Sequence, residues 1–146
     1  MSKVVVIGAG PAGMMAAITA SKNDNEVILI DGNDRLGKKL FITGKGRCNV
    51  TNSKDISEFF DFIPGNPYFL YSSLYTFTNE DTMNFFENEG IKLKVERGGR
   101  VFPNSDKSSD IIKGLSNVIN RSNIKVMLNS KVTGIIKDEN KIIGVK

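Results

Sequence analysis

The sequence holds no histidine, no tryptophan and a single cysteine among 146 residues. Without imidazole there is no His-activated serine or cysteine nucleophile and no His-ligated zinc. One thiol excludes an internal disulfide and a CxxC redox pair. No apolar run approaches the roughly 18 residues that would cross a bilayer. No basic, apolar and small-residue leader opens the chain, which with the missing disulfides points to a cytoplasmic protein. Repeats and low-complexity tracts are absent too. Charge is nearly balanced, with 20 basic and 16 acidic residues giving +4. The one basic concentration, Lys38, Lys39, Lys45 and Arg47, sits among glycines rather than aromatics. That setting suits a compact phosphate better than a nucleic-acid strand, so nucleic acid is not the expected partner.

What is present first is a strand, helix, strand series. Lys3–Ile7 (KVVVI) is an apolar β-branched run that ends in Gly8-Ala9-Gly10-Pro11-Ala12-Gly13, as a buried strand entering a tight turn would. Residues 11–22 are rich in helix formers, with Pro11 early, where a missing N–H costs nothing. Glu26–Ile30 (EVILI) is a second apolar run ending at Asp31-Gly32. A right-handed parallel crossover is the expected geometry. Residues 31–52 read as a long ordered loop, and 53–90 as helical pieces broken at Pro64-Gly65-Asn66-Pro67. Thr78-Asn79-Glu80-Asp81 has the form of a capping box, with Gly90 as the stop. Residues 91–95 and 100–103 make a hairpin about Gly98-Gly99. Residues 110–121 place Ile111, Ile112, Leu115, Val118 and Ile119 on one helical face, with Ser108 or Ser109 as cap. Residues 124–128 are a third strand for the parallel sheet, and 131–146 a second hairpin that stops inside an apolar strand, an ending expected of a truncated chain.

Gly8-x-Gly10-x-x-Gly13 gains meaning from its place between strand and helix, with Asp31 at the end of the next strand. Gly8 permits the turn, Gly10 lets a pyrophosphate approach the backbone, and Gly13 allows helix and strand to pack closely. The helix N-terminus supplies N–H groups and partial positive charge. Asp31 accepts hydrogen bonds from ribose hydroxyls and disfavours a 2′-phosphate. The motif leaves NAD and FAD both open. The run Thr43-Gly44-Lys45-Gly46-Arg47-Cys48-Asn49-Val50-Thr51-Asn52 adds flexible backbone, two cations and several polar donors, suited to an anionic ligand with a polar ring edge.

The combination GAGPAG, GKKLFITGKGRCNVTN and GGRVFPNSDKSSDI resembles the N-terminal part of a bacterial family of FAD-dependent flavoproteins, the NAD(P)/FAD-utilising oxidoreductases. The family includes aminoacetone-oxidase-like enzymes and reductases of unsaturated bile-acid intermediates. The resemblance runs along the whole chain, and TGKGRCNVTN is its most specific part. It implies an α/β Rossmann-like FAD-binding domain, a parallel sheet with crossover helices plus a β-hairpin or meander, truncated, with residues 1–146 as its N-terminal portion and the substrate domain and C-terminal FAD-binding segment missing. It implies FAD as cofactor and NAD(P)H as a candidate electron donor. It places Gly8, Gly10, Pro11, Ala12 and Gly13 around the pyrophosphate and Asp31 with Gly32 at the adenosine ribose. Lys39, Gly46, Arg47, Cys48 and Asn49 follow along the diphosphate, ribityl chain and flavin, and the Val132 backbone meets adenine. Lys45 departs from the pattern, standing where the family often has glycine.

The expected function is the FAD-binding part of an oxidoreductase acting on a small molecule, inactive as this fragment alone; the alternative is a nucleotide-binding module without turnover. No residue is assigned as catalytic, and no metal is expected. Cys48 reads as a small structural thiol. Asp106 and Asp110, with Ser105, Ser108 and Ser109, read as helix-capping residues. The aromatic run from Phe59 to Phe86 reads as core, either of this chain or for a further domain. An open sheet edge offers a route to oligomers.

Overall fold

The computed structural model describes residues 2–146. In chain order its elements are β1 (Lys3–Ile7), α1 (Pro11–Ser21), β2 (Glu26–Ile30), β3 (Thr51–Asn52), α2 (Tyr71–Thr76), α3 (Asn79–Asn88), β4 (Leu93–Glu96), β5 (Arg100–Pro103), α4 (Ser108–Arg121), β6 (Ile124–Met127), β7 (Ile135–Asp138) and β8 (Lys141–Val145). Short 3-10 turns cover Leu40–Gly46, Ile56–Phe62, Pro67–Leu70 and Arg97–Gly99. Two compact units result, one formed by the residues up to Leu40 with Leu115–Lys146, the other by Phe41–Gly114.

In the first unit the three β-branched runs form a parallel sheet in the order β1-β2-β6, with Val5 opposite Ile28 and Leu29 opposite Val126. β2 is the middle strand, so Val27, Leu29 and Ile30 are buried while β1 is at best half-buried. α1 packs on this sheet through Met14, Ala17 and Ile18. Full burial of side chains such as Met14 and Leu29 is worth about 1.5–3 kcal/mol each. α1 ends at Ser21, with Lys22 as its cap donating to the Thr19 carbonyl. β6 ends at Met127, one residue short of the expected strand, and just beyond it the Asn129 N–H is drawn to the Asn33 carbonyl at 2.9 Å. β7 and β8 pair antiparallel with a bulge at Ile136/Lys137. This strand pair begins four residues later than its sequence suggests, although Thr133 N–H still reaches the Lys146 carbonyl at 2.7 Å.

The second unit holds an antiparallel sheet in the order β3-β5-β4. The expected hairpin of β4 and β5 is there, with Val95 opposite Val101. β3 lies within what read as a loop: Thr51 pairs with Val101 and Asn52 with Arg100. Two residues are too few to show a strand's period of two. Val101, Phe102 and Pro103 of β5 are buried, as are Phe86 of α3 and Ile111 of α4. The capping box forms with Asp81 in the third helical position: the Thr78 hydroxyl accepts from Asp81 N–H at 3.1 Å and the Asp81 carboxylate accepts from Thr78 N–H at 2.8 Å.

Apart from Phe86, most of the aromatic run lies outside the core of this chain. Phe62, Tyr68, Phe69, Tyr71, Tyr75 and Phe77 are exposed, Phe69 at 82%. Instead of entering the interior, Phe60 stacks on Tyr68, Tyr71 and Tyr75 with ring centroids 5.6–6.2 Å apart. The helical pieces carrying these rings are short 3-10 and α turns, and Tyr68, Tyr71 and Tyr75 share the face that stacks on Phe60.

Candidate functional site

The glycine loop between β1 and α1 has a separate physical reason for each glycine. Gly8 sits at φ +100°, a conformation open to glycine alone at low cost, and donates its N–H to Ile30 carbonyl at 2.7 Å. At Gly13 an added Cβ would fall 1.8 Å from the Gly8 carbonyl oxygen, so the helix can lie this close to the turn only with a bare backbone. Gly10 is different: an added Cβ there meets nothing within 4 Å. The protein's own packing does not require glycine at position 10. The bare backbone is left open to something from outside. Pro11 occupies the first helical position, and the first-turn N–H groups that follow it have no intrahelical acceptors. With the helix dipole they form a concave positive end suited to a phosphate.

Asp31, at the end of β2, reaches back into this loop. One carboxylate oxygen accepts from Ala9 N–H at 2.6 Å, and the other from the backbone and side-chain nitrogens of Asn33 at 2.7 and 2.8 Å. Partial burial pushes the Asp31 carboxyl up, but the hydrogen bonds from Ala9 and Asn33 and the charge of Lys38 outweigh it, so its pKa lies below the usual value. A carboxylate offers about four acceptor positions, so hydroxyls of a sugar can still bind. Gly37 N–H to the Ala9 carbonyl at 2.9 Å and Ser130 N–H to the Asp31 carbonyl at 2.9 Å tie the segments around it. Gly32 lies against Lys131, where an added Cβ would sit 3.4 Å from Lys131 Cβ, which brings the residue before Val132 to the Asp31-Gly32 turn. Lys38 pairs with Asp34 at 3.2 Å. Lys39 is exposed and makes no ion pair among the described residues. The structure thus gathers Gly8, Gly10, Pro11, Ala12, Gly13, Asp31, Gly32 and the approach to Val132 at the C-terminal end of one parallel sheet.

Gly46, Arg47, Cys48 and Asn49 belong to the second unit. Gly44, Lys45, Gly46 and Cys48 all have positive φ, between 55° and 84°. Lys45 at φ 57° takes up a backbone conformation that glycine adopts at lower cost. Like Gly10, Gly46 has open space where a Cβ would be. With its amide oriented to satisfy both groups, the Asn49 side-chain nitrogen donates to the Val101 and Thr51 carbonyls at 3.3 and 3.1 Å. Arg47 is engaged by its own chain: its guanidinium donates to Asp106 at 2.6 and 2.8 Å and to Glu96, and lies 4.2 Å from the Phe102 ring centroid. Lys94 donates to the other Asp106 oxygen at 2.6 Å. The result is a neutral quartet of two cations and two carboxylates. Lys94 and Arg47 hold Asp106 below the usual carboxylate range, and Arg47 does the same for Glu96.

Asp106 is therefore not a helix cap but the hub of this quartet. Its partners lie up to 59 residues away in sequence, beyond any local pattern. The Ser108 hydroxyl donates to the Phe41 carbonyl at 2.7 Å. Asp110 accepts from the Ser105 hydroxyl at 2.6 Å. No cluster of three metal-ligating side chains occurs among the described residues. Cys48 is free and 3% exposed, and burial pushes its thiol up despite a hydrogen bond with Thr43. Sequence reasoning missed Ala9 and Asn33 as the partners of Asp31. It also missed Asn79, whose buried amide donates to the Asn52 and Lys54 carbonyls at 2.8 and 2.9 Å and so fixes the end of the TGKGRCNVTN run.

The family model described as the HI0933-like protein Rossmann domain matches residues 2–146. The chain belongs to this family. Among curated relatives, the 3-dehydro-bile acid delta(4,6)-reductase of Clostridium scindens is 31% identical over 138 residues, covering 92% of this chain and 33% of that protein. The ribosomal RNA dihydrouridine synthase of Escherichia coli is 33% identical over 135 residues, with 92% and 33% covered. Among solved structures, the 3-ketosteroid-delta4-(5alpha)-dehydrogenase of Rhodococcus jostii superposes with a TM-score of 0.65 at 12% identity, covering 99% of this chain and 41% of that one. That likeness shows the fold. The HI0933-like chain spans about a third of the length of the curated relatives it matches. No helix among its described residues is long and apolar enough to cross a membrane.

Proposed function

We propose that this HI0933-like chain is the FAD-binding portion of a flavin-dependent oxidoreductase that works in the cytoplasm and draws electrons from NAD(P)H. The observation that carries this reading is Gly10. The chain's own packing leaves the position bare, at the mouth of a helix N-terminus and beside a carboxylate held ready by Ala9 and Asn33. In this reading Gly8, Pro11, Ala12 and Gly13 shape the cradle for the pyrophosphate, Asp31 and Gly32 receive the adenosine ribose, and the backbone at Val132 borders adenine. Lys39 and the backbone of Gly46, Cys48 and Asn49 follow the remainder, with Arg47 keeping that loop in shape through its carboxylate partners. FAD, when bound, supplies the two-electron hydride chemistry. Cys48, buried and protonated, supports no thiol relay beside it.

The names of the two curated relatives share a chemical act: adding a hydride and a proton across a C=C bond conjugated to a carbonyl. We assign the same reaction class to the whole protein of which this fold is part. The naming of one relative for ribosomal RNA makes nucleic acid the competing substrate class. Titration of the chain with FAD, FMN and NADH, followed by flavin or nicotinamide fluorescence, tests the cofactor. FAD binding tighter than FMN is expected, because only the dinucleotide presents both a pyrophosphate and an adenosine ribose. Equal affinities would refute it.

A further inference from the structure

Residues 62–79 carry six aromatic rings and no charged side chain. Local geometry gathers three of those rings. Tyr71 and Tyr75 are four residues apart in α2, and Tyr68 precedes Tyr71 by three in the 3-10 turn Pro67–Leu70, so all three lie along one side of a short helical path. The bend Pro64-Gly65-Asn66-Pro67, with Gly65 at φ 82°, brings that side onto Phe60 of the preceding turn. Tyr68 and Tyr75 lie 14° and 15° from the plane of the Phe60 ring and Tyr71 lies 27° from it, while the Tyr71 and Tyr75 centroids are 4.6 Å apart. All three tyrosines are exposed, Tyr68 at 74%. A group that extends this near-parallel set must itself be flat.

Charge selects among flat groups. Residues 53–90 carry seven carboxylates and a single cation, Lys54. Lys54 is already seated: its ammonium lies 4.6 Å from the Phe62 ring centroid and donates to Glu58 at 2.9 Å. The segment thus holds its own cation between a ring and a carboxylate. At the tyrosines the same two components are present, but the segment has no second cation to place there. The exposed ring faces are electron-rich, and Asp61, next to Phe60 in the chain, is exposed and makes no ion pair among the described residues. A nucleotide or an anionic lipid would bring phosphate to this acidic surface and be repelled. A second copy of the chain meeting it face to face would set seven carboxylates against seven. The flat group of opposite sign that proteins carry is the guanidinium, which is weakly hydrated and stacks on aromatic faces.

We propose that the face formed by Phe60, Tyr68, Tyr71 and Tyr75 docks an arginine-bearing segment of a partner protein, the guanidinium stacking on a tyrosine ring and Asp61 supplying the opposite charge. This docking face stands apart from the cofactor reading, which rests on Gly10 in the other unit.

The test is fluorescence anisotropy of the chain with three labelled peptides of one pattern, in which leucine alternates with arginine, with lysine or with citrulline. Lysine keeps the charge and loses the plane; citrulline keeps the plane and loses the charge. The arginine peptide is expected to bind tightest, with each of the others weaker by about threefold or more. This comparison needs no variant and stands whatever a substitution does to folding. Tyr71→Leu and Tyr75→Leu, which keep an apolar, helix-forming side chain, should each weaken arginine-peptide binding about two- to fivefold. Asp61→Asn should weaken it about two- to threefold, while Glu139→Gln, the same change of charge in the turn between β7 and β8, should leave it unaltered. No binding of the arginine peptide, equal binding of the arginine and lysine peptides or of the arginine and citrulline peptides, unchanged affinity in both tyrosine variants, or equal effects of Asp61→Asn and Glu139→Gln would each overturn the proposal. Displacement of the arginine peptide by a uridine-containing RNA stem-loop would overturn it as well, since that would assign the face to nucleic acid.

Discussion

Asp31→Asn isolates the link between β2 and the glycine loop. The carboxylate accepts three hydrogen bonds, from Ala9 N–H at 2.6 Å and from the two Asn33 nitrogens at 2.7 and 2.8 Å. An amide has one acceptor oxygen and one donor nitrogen, so either Ala9 or Asn33 must face a donor with a donor. A hydrogen bond to a charged group contributes about 1.5–3 kcal/mol, and loss of the bond on one side together with the charge on the other is expected to cost about 2–3 kcal/mol of unfolding free energy at pH 7. The sign of the pH dependence follows from the lowered pKa in the folded protein. The carboxylate's contribution is full above the unfolded pKa of about 3.9 and is lost as pH falls through the folded value. Urea midpoints for both proteins, read by circular dichroism at neutral pH and again at acid pH, should therefore converge on the acid side. A midpoint difference that is absent at pH 7, or that persists unchanged into acid, would refute the reasoning.

Gly13→Ala should unfold the chain or lower its urea midpoint sharply, because the new Cβ would meet the Gly8 carbonyl at 1.8 Å, whereas Gly10→Val should leave the midpoint near its original value and abolish FAD binding. Retained FAD affinity in a folded Gly10→Val protein would contradict the site. Arg47→Ala and Asp106→Ala should be strongly non-additive in a thermal-denaturation double-mutant cycle, and Arg47→Ala should weaken FAD binding more than Arg121→Ala; additive effects would mean that the quartet does not act as a unit. Cys48 should react with a thiol-specific disulfide reagent at pH 8 far more slowly in the native protein than in urea, since burial both shields it and keeps it protonated; fast native labelling would refute this.

The Rossmann half was legible because its signals are local. β1, α1 and β2 are each an uninterrupted run, their junctions are glycines and an aspartate, and even the capping box at Thr78 is written in four consecutive residues. What sequence could not show depends on distance. The Arg47 quartet joins positions 47, 94, 96 and 106, and β3 exists only because Thr51 and Asn52 meet β5. The aromatic run was legible only in part: Phe86 is buried, whereas Tyr68, Tyr71 and Tyr75 share a face that stacks on Phe60 and stays exposed, and sequence does not show what such a face meets. At the site, glycine spacing was readable, yet which glycine serves the chain's own packing and which is left bare required coordinates.

Four of the five positions from Gly44 to Cys48 lie in the left-handed region of backbone space. Each L-residue with a Cβ held there costs about 1–2 kcal/mol, and a domain's whole margin is about 5–15 kcal/mol. Evolutionary drift across this loop is thus limited by steric geometry before any ligand is considered. Persistence of glycine at position 44, where an added Cβ would also press on Asn49 N–H at 3.1 Å, would report a folding constraint, while persistence at position 46, with empty space beside it, would carry more information about a bound molecule. Aligned glycines in such a loop are not equivalent witnesses to function.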